Sequence, residues 1–205
     1  MLELSELEKD AITEAFNMGM GQAGNSLSKM VNHEVELSAP LVEFTTKQRA
    51  ATLICKGKGD SITGVCEKFT GPIYGDAMLL FPEDQSLALV QLVLGDEVPK
   101  ELLSEMEQEA LTEVGNIILT GCLSSLADII RKEVESDIPS LVKGTVNEIL
   151  DVDHESEDEI IIVLNMNFTI KNKEIEGYVT FIMGIHSIER FRDELREHFQ
   201  LEVSA

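Results

Sequence analysis

Aromatic residues make up 5% of this 205-residue chain and tryptophan is absent, so any core must be packed chiefly by aliphatic side chains. Positive charge is equally scarce. Sixteen Lys and Arg stand against 38 Asp and Glu, a formal net charge of -22, and the resulting field repels polyphosphate and anionic headgroups. Nucleic-acid and membrane-surface binding are therefore not expected. Only Cys55, Cys66 and Cys122 carry thiols. They are odd in number and form no CxxC pair, which excludes a zinc ribbon or a redox dithiol and points to reduced thiols in a cytoplasmic protein. His33, His154, His186 and His198 lack ligand spacing, so no metal or cofactor of the chain's own is expected. Continuous apolar runs such as residues 160–164 fall far short of the ~20 residues a membrane helix requires. The acidic first residues have neither the cationic start nor the apolar run of a secretory signal.

Hydrophobic residues at 43% and charged residues at 26% of a 22.7 kDa chain describe an ordinary globular protein able to bury a core without disulfides. The chain is also written twice. Ser5-x-x-Glu8 recurs as Ser104-x-x-Glu107, Asp10 answers to Glu109, Glu14-x-x-Asn17 recurs as Glu113-x-x-Asn116, and Pro40 recurs as Pro139, every pair 99 residues apart. One such coincidence means little. Six at a single spacing, five of them identical, divide the chain into a first repeat, residues 1–98, and a second, residues 99–205, within one pseudo-symmetric domain.

Both Ser-x-x-Glu pairs have the form of a capping box, so each repeat is expected to open with a helix. Ile12, Ala15, Phe16, Ala23, Leu27 and Met30 then fall in one arc, as do Leu111, Val114, Ile118, Cys122, Leu126 and Ile129. Gly19, Gly21 and Gly24 leave a kink or a pair of helices open in the first repeat. Residues 33–37, 50–54, 61–68 and 76–81 read as strands, followed in the second repeat by 142–150, 159–170 and 175–183, with 171–174 as a hairpin turn. A helix over 87–94, capped by Asp84 or Ser86 and stopped by Gly95, closes the first repeat. Its counterpart over 188–199 is capped by Ser187, and residues 95–99 join the halves. The fold class is α+β: two pseudo-symmetric halves with an antiparallel sheet backed by long helices.

On a helical wheel Asp10 and Asn17 lie within about 60° of Glu14, opposite the apolar arc. Gly21, Asn25 and Ser28 continue that polar stripe, and Glu109, Glu113, Asn116, Thr120 and Ser124 form the second. A lone Glu and Asn on a polar face are ordinarily just solvated. Asparagine is a mediocre helix former, however, so its mid-helix placement in both copies has no stability motive. An amide can accept one hydrogen bond and donate another, and can thus orient a water without being a strong base, which is the assistance phosphoryl transfer requires.

These residues resemble a known signature. Asp10-x3-Glu14-x2-Asn17-x22-Pro40 and Glu109-x3-Glu113-x2-Asn116-x22-Pro139 are similar to the duplicated motif of the CheC/CheX/FliY chemotaxis phosphatases, most of all its two-copy CheC branch. Glu109 departs from the Asp or Ser usual there. The resemblance implies hydrolysis of the aspartyl phosphate on a CheY-type response regulator. Asn17 and Asn116 would hold the attacking water, Glu14 and Glu113 would pair with a regulator lysine, and magnesium would belong to the regulator. It also implies the receptor deamidase CheD as a second partner, without assigning residues to it. The alternative is a non-catalytic module that sequesters a regulator or CheD through the same helices.

Overall fold

The computed structural model describes residues 4–55, 61–95, 100–154 and 159–200. The elements run α1 (Glu6–Val31), β1 (Val35–Thr45), α2 (Lys47–Cys55), β2 (Ser61–Thr70), β3 (Gly75–Pro82) and α3 (Glu83–Leu94). They continue as α4 (Lys100–Ile130), β4 (Glu135–Ser136), β5 (Ser140–Thr145), α5 (Val146–Ile149), β6 (Glu159–Ile170), β7 (Lys173–Gly184) and α6 (Ile185–His198). The α+β class and the antiparallel sheet follow the sequence expectation. Of the junction expected at residues 95–99, Gly95 is the C-cap of α3 and residues 96–99 lie outside the described residues.

Helix α1 opens on the expected capping box, with the Ser5 hydroxyl accepting from the Glu8 N–H and the Glu8 carboxylate accepting from the Ser5 N–H at 2.7 Å. It then runs unbroken for 26 residues through its glycines. Packing explains their presence. A Cβ at Gly19 would overlap the Gly121 carbonyl and one at Gly121 would sit 2.7 Å from the Gly19 oxygen, so the two glycines let α1 and α4 cross in backbone contact. In the second repeat the capping box fails. Helix α4 is already helical from Lys100, which puts Ser104 inside it, and the buried Glu107 carboxylate instead accepts from the Ser86 hydroxyl on α3. Although the Met106–Ile130 part of α4 is long and apolar enough to span a bilayer, it is a core helix, packed on α1, α3, α6 and the sheet.

Strands expected at 61–68, 76–81, 159–170 and 175–183 are present as β2, β3, β6 and β7. Residues 50–54 are helical instead. Ala50, Ala51 and Ile54 are buried on one side of α2, and so short an apolar run does not distinguish the two periods. The strand expected over 142–150 stops at Thr145, whose hydroxyl and backbone form a capping box with Glu148 and start α5. Lys171 and Asn172, at φ of 50° and 62°, make the tight hairpin turn within the expected 171–174. Neither Ser86 nor Ser187 caps its helix: the N-caps are Pro82 and Gly184, and the Ser187 hydroxyl accepts from the Tyr74 N–H.

Among the described residues the sheet has seven strands in the order β1-β6-β7-β3-β2-β4, with β5 also on β2. Exchanging the repeats reverses this order onto itself. Register repeats too. Glu36↔Thr169, Leu37↔Phe168 and Leu41↔Asn165 on one edge become Glu135↔Thr70, Ser136↔Phe69 and Ser140↔Cys66 on the other. The first strand of each half therefore pairs with the hairpin of the other half, so the halves are interlocked.

Helices α1 and α4 cover one sheet face. There Phe16 stacks on Phe181 at 5.5 Å and Phe69 meets Phe181 edge-on at 6.1 Å. A smaller cluster, including Ile54, Ile62, Leu80 and Ile161, lies on the opposite face beneath α2 and α5. Glu8 ties α1 to α6 through a 2.6 Å contact with the Arg196 guanidinium. Burial works against this carboxylate, but the Ser5 N–H and Arg196 prevail and hold its pKa below the ordinary value.

Candidate functional site

The two polar stripes lie where the periodicity puts them. Glu14 and Glu113 are exposed, one turn before their asparagines, while Ile12, Ala15, Phe16, Leu111, Val114 and Ile118 bury the opposite sides of the helices. Asp10, Gly21 and Asn25 on α1 are solvent-facing, as are Glu109, Thr120 and Ser124 on α4. Each stripe is thus carried on a helix that the core holds rigidly.

The two amides differ, against the expectation that both stand free. Asn116 is exposed and its amide has no hydrogen-bond partner among the described residues. Asn17 is half-buried and bound twice to one residue. Its Oδ1 accepts from the Ala39 N–H at 2.8 Å and its Nδ2 donates to the Ala39 carbonyl at 3.4 Å. Eleven residues further along α1, the Ser28 hydroxyl accepts from the Val35 N–H at 2.9 Å and donates to the Gly24 carbonyl at 2.7 Å. Polar groups on α1 therefore grip the edge strand at two points.

This contact accounts for the Asn-x22-Pro spacing. Between Ser38 and Leu41 the register of β1 slips, so Ala39 and Pro40 together oppose the single residue Met166 of β6. Proline has no N–H to pair, and an edge bulge is one of the few sheet positions that accommodates it. The bulge frees the Ala39 peptide groups from the ladder, and Asn17 takes both.

The second edge has the same bulge. Asp137 donates to the Lys68 carbonyl at 2.8 Å, Ser140 pairs with Cys66, and Ile138 and Pro139 together oppose Glu67. Yet Ala39 is 0% exposed and Ile138 is 91% exposed. The residue before the proline is tucked under the helix in one copy and points into solvent in the other.

Glu67, opposite this second bulge, replaces the Met166 of the first. It is 2% exposed, and neither carboxylate oxygen has a partner among the described residues. Burial pushes its pKa up to about 7. Burial, with a contribution from Glu67, pushes the neighbouring Cys122 thiol up to about 12, so that thiol is protonated and unreactive. Sequence reasoning missed Ala39, Ile138 and Glu67, and placed Ser28 on the polar stripe without its bond to the edge strand. Only Glu67 left a signal, as an acid on the inward parity of a strand between Val65 and Phe69. No group of three or more His, Cys, Asp or Glu that could hold a metal occurs among the described residues.

Comparison with known proteins points to the same family as the motif. Residues 63–164 match the family described as "Chemotaxis phosphatase CheX". The flagellar motor switch phosphatase FliY of Bacillus subtilis is 21% identical over 82% of this chain, which spans only 44% of that protein. The CheY-P phosphatase CheC of the same organism is 18% identical, over 91% of this chain and 93% of its own. In fold, the crystal structure of Thermotoga maritima FliY superposes with a TM-score of 0.74 at 17% identity, covering 96% of this chain and all of that one. With the duplicated Glu/Asn/Pro motif on paired core helices, these matches place the chain in the CheC/CheX/FliY family of chemotaxis phosphatases.

Proposed function

We propose that this protein is a CheC-like phosphatase that hydrolyses the aspartyl phosphate of a CheY-type response regulator. The observation that carries the reading is Asn116: an exposed, uncommitted amide one turn beyond the exposed Glu113, on a helix fixed by the core. The related CheC is named a CheY-P phosphatase, which supports the same substrate here.

Glu113 docks the helix by pairing with a lysine of the regulator. Asn116 then enters the regulator's site, where its carbonyl accepts from a water and aims the water's oxygen along the line of the phosphorus–carboxyl bond. That oxygen bonds to phosphorus, the P–O bond to the aspartyl group breaks, and the electron pair leaves with the carboxylate. Both water protons stay with the product, giving aspartate and dihydrogen phosphate. Glu14 and Asn17 form the second candidate pair. The regulator holds the magnesium of this chemistry, and this chain supplies position and hydrogen bonds. The reaction belongs in the cytoplasm, and CheD remains a proposed second partner to which no surface is assigned.

The test is phosphate release from an autophosphorylated regulator with Asn17→Ala, Asn116→Ala and the double mutant. Loss of both amides in the double mutant should lower turnover by about 10²–10³ with little change in binding. Glu113→Ala should act on affinity instead, by under ~1 kcal/mol if the pair stays at the rim and ~2–5 kcal/mol if it is desolvated. A wild-type protein that binds phosphorylated regulators yet never accelerates their decay would establish the sequestration alternative.

A further inference from the structure

Because the halves share one register through the bulge, their differences can be compared position by position. Three pairs matter. Gly24, whose absent side chain lets the Val35 carbonyl approach to 3.0 Å from where a Cβ would stand, is replaced by the buried Leu123. Ser28, which binds the Val35 N–H, is replaced by Ala127. Ala39, whose methyl fits beneath α1, is replaced by Ile138, which is left in solvent. Each replacement removes a way for the helix to grip its edge strand: close approach, a hydroxyl partner, and a residue small enough to lie underneath. Helix α4 also lies against β2, where a Cβ on Gly115 would overlap Val65, whereas the equivalent α1 position holds the buried Phe16.

We infer that the two copies are one latch in two states: Asn17 is closed onto the Ala39 backbone and withheld from chemistry, while Asn116 cannot close and is the amide that serves the regulator. The inference rests on the phosphatase reading for its activity and stands on its own for the latch. To hold a water, Asn17 must first release two hydrogen bonds and leave a buried backbone N–H and C=O unpaired. Asn116 has nothing to release. The proline spacing, present in both copies, thus builds a self-closing site in the first half and an open one in the second. What distinguishes them is the size of the residue that precedes the proline, together with the fit of helix to strand.

Two measurements test this on the full-length chain. The first is phosphate release from an autophosphorylated CheY-type regulator. Asn116→Ala should lose at least tenfold more activity than Asn17→Ala. Adding Ala39→Ile to Asn116→Ala should push the first bulge outward, free Asn17 and restore at least tenfold of that loss. Equal losses in the two single mutants, or no recovery in a folded double mutant, would overturn the assignment. The second is hydrogen exchange at the Ala39 amide, which should be protected in the wild type and at least tenfold faster in Asn17→Ala. Unchanged exchange would refute the latch itself. If Ala39→Ile does not fold, the single mutants and the exchange rate decide. If the wild type hydrolyses no regulator phosphate, the phosphatase reading fails, and exchange still rules on the latch.

Discussion

Glu67 gives the sharpest quantitative test of the fold that supports the second site. Its carboxyl is 2% exposed, with both oxygens unpartnered among the described residues, and burial raises its pKa from an ordinary 4.5 to about 7. A folded pKa above the unfolded one means that the native state holds the proton more tightly. Its contribution to stability is therefore fully present below about pH 4.5 and lost as pH rises through about 7. At 1.36 kcal/mol per pH unit the loss totals about 3 kcal/mol. Glu67→Gln keeps the shape and cannot ionise. Urea unfolding of both proteins from pH 4.5 to 8.5 should show the stability of the variant relative to wild type rising by about 3 kcal/mol, mostly between pH 5 and 7. Using the difference cancels the other carboxyls to first order. A gap that stays constant within about 0.5 kcal/mol would mean that Glu67 finds water or a cation in solution, and the reasoning from burial would fail.

The latch has a cost in stability as well as in activity: Asn17→Ala should destabilise by about 1–3 kcal/mol through the stranded Ala39 groups, whereas Asn116→Ala should stay within about 0.5 kcal/mol in the same denaturant titration. Arg196→Ala leaves the buried Glu8 carboxylate without its cation and should cost about 2–3 kcal/mol near neutral pH. Because the folded Glu8 pKa is depressed, that cost should shrink in acid as the carboxylate protonates. Gly19→Ala, whose Cβ would overlap the Gly121 carbonyl, should lower stability by about 1–3 kcal/mol as α1 and α4 are pushed apart.

Much of this was legible without coordinates. The apolar arcs of α1 and α4, four of the strands and the exposed glutamates are local consequences of periodicity, which side-chain chemistry imposes on neighbours a few residues apart. The failures share a cause. Residues 50–54 and the start of α4 carry signals too short or too generic to decide, and Ser104 was passed over because the chain before it extended the helix. The duplicated motif identified the elements that repeat, but could not show that the halves interlock, since strand pairing joins residues far apart in the chain.

The amino-acid sequence was enough to put most apolar side chains of the two long helices on their inner faces and to place Glu14, Asn17, Glu113 and Asn116 at equivalent positions. It did so because a helix converts spacing into direction. Their inequality arises from packing between elements far apart in the chain. Whether an asparagine remains free depends on the backbone opposite it. At Ala39 a bulge presents an unpaired N–H and C=O to Asn17, while at Ile138 the same bulge turns outward and leaves Asn116 in solvent.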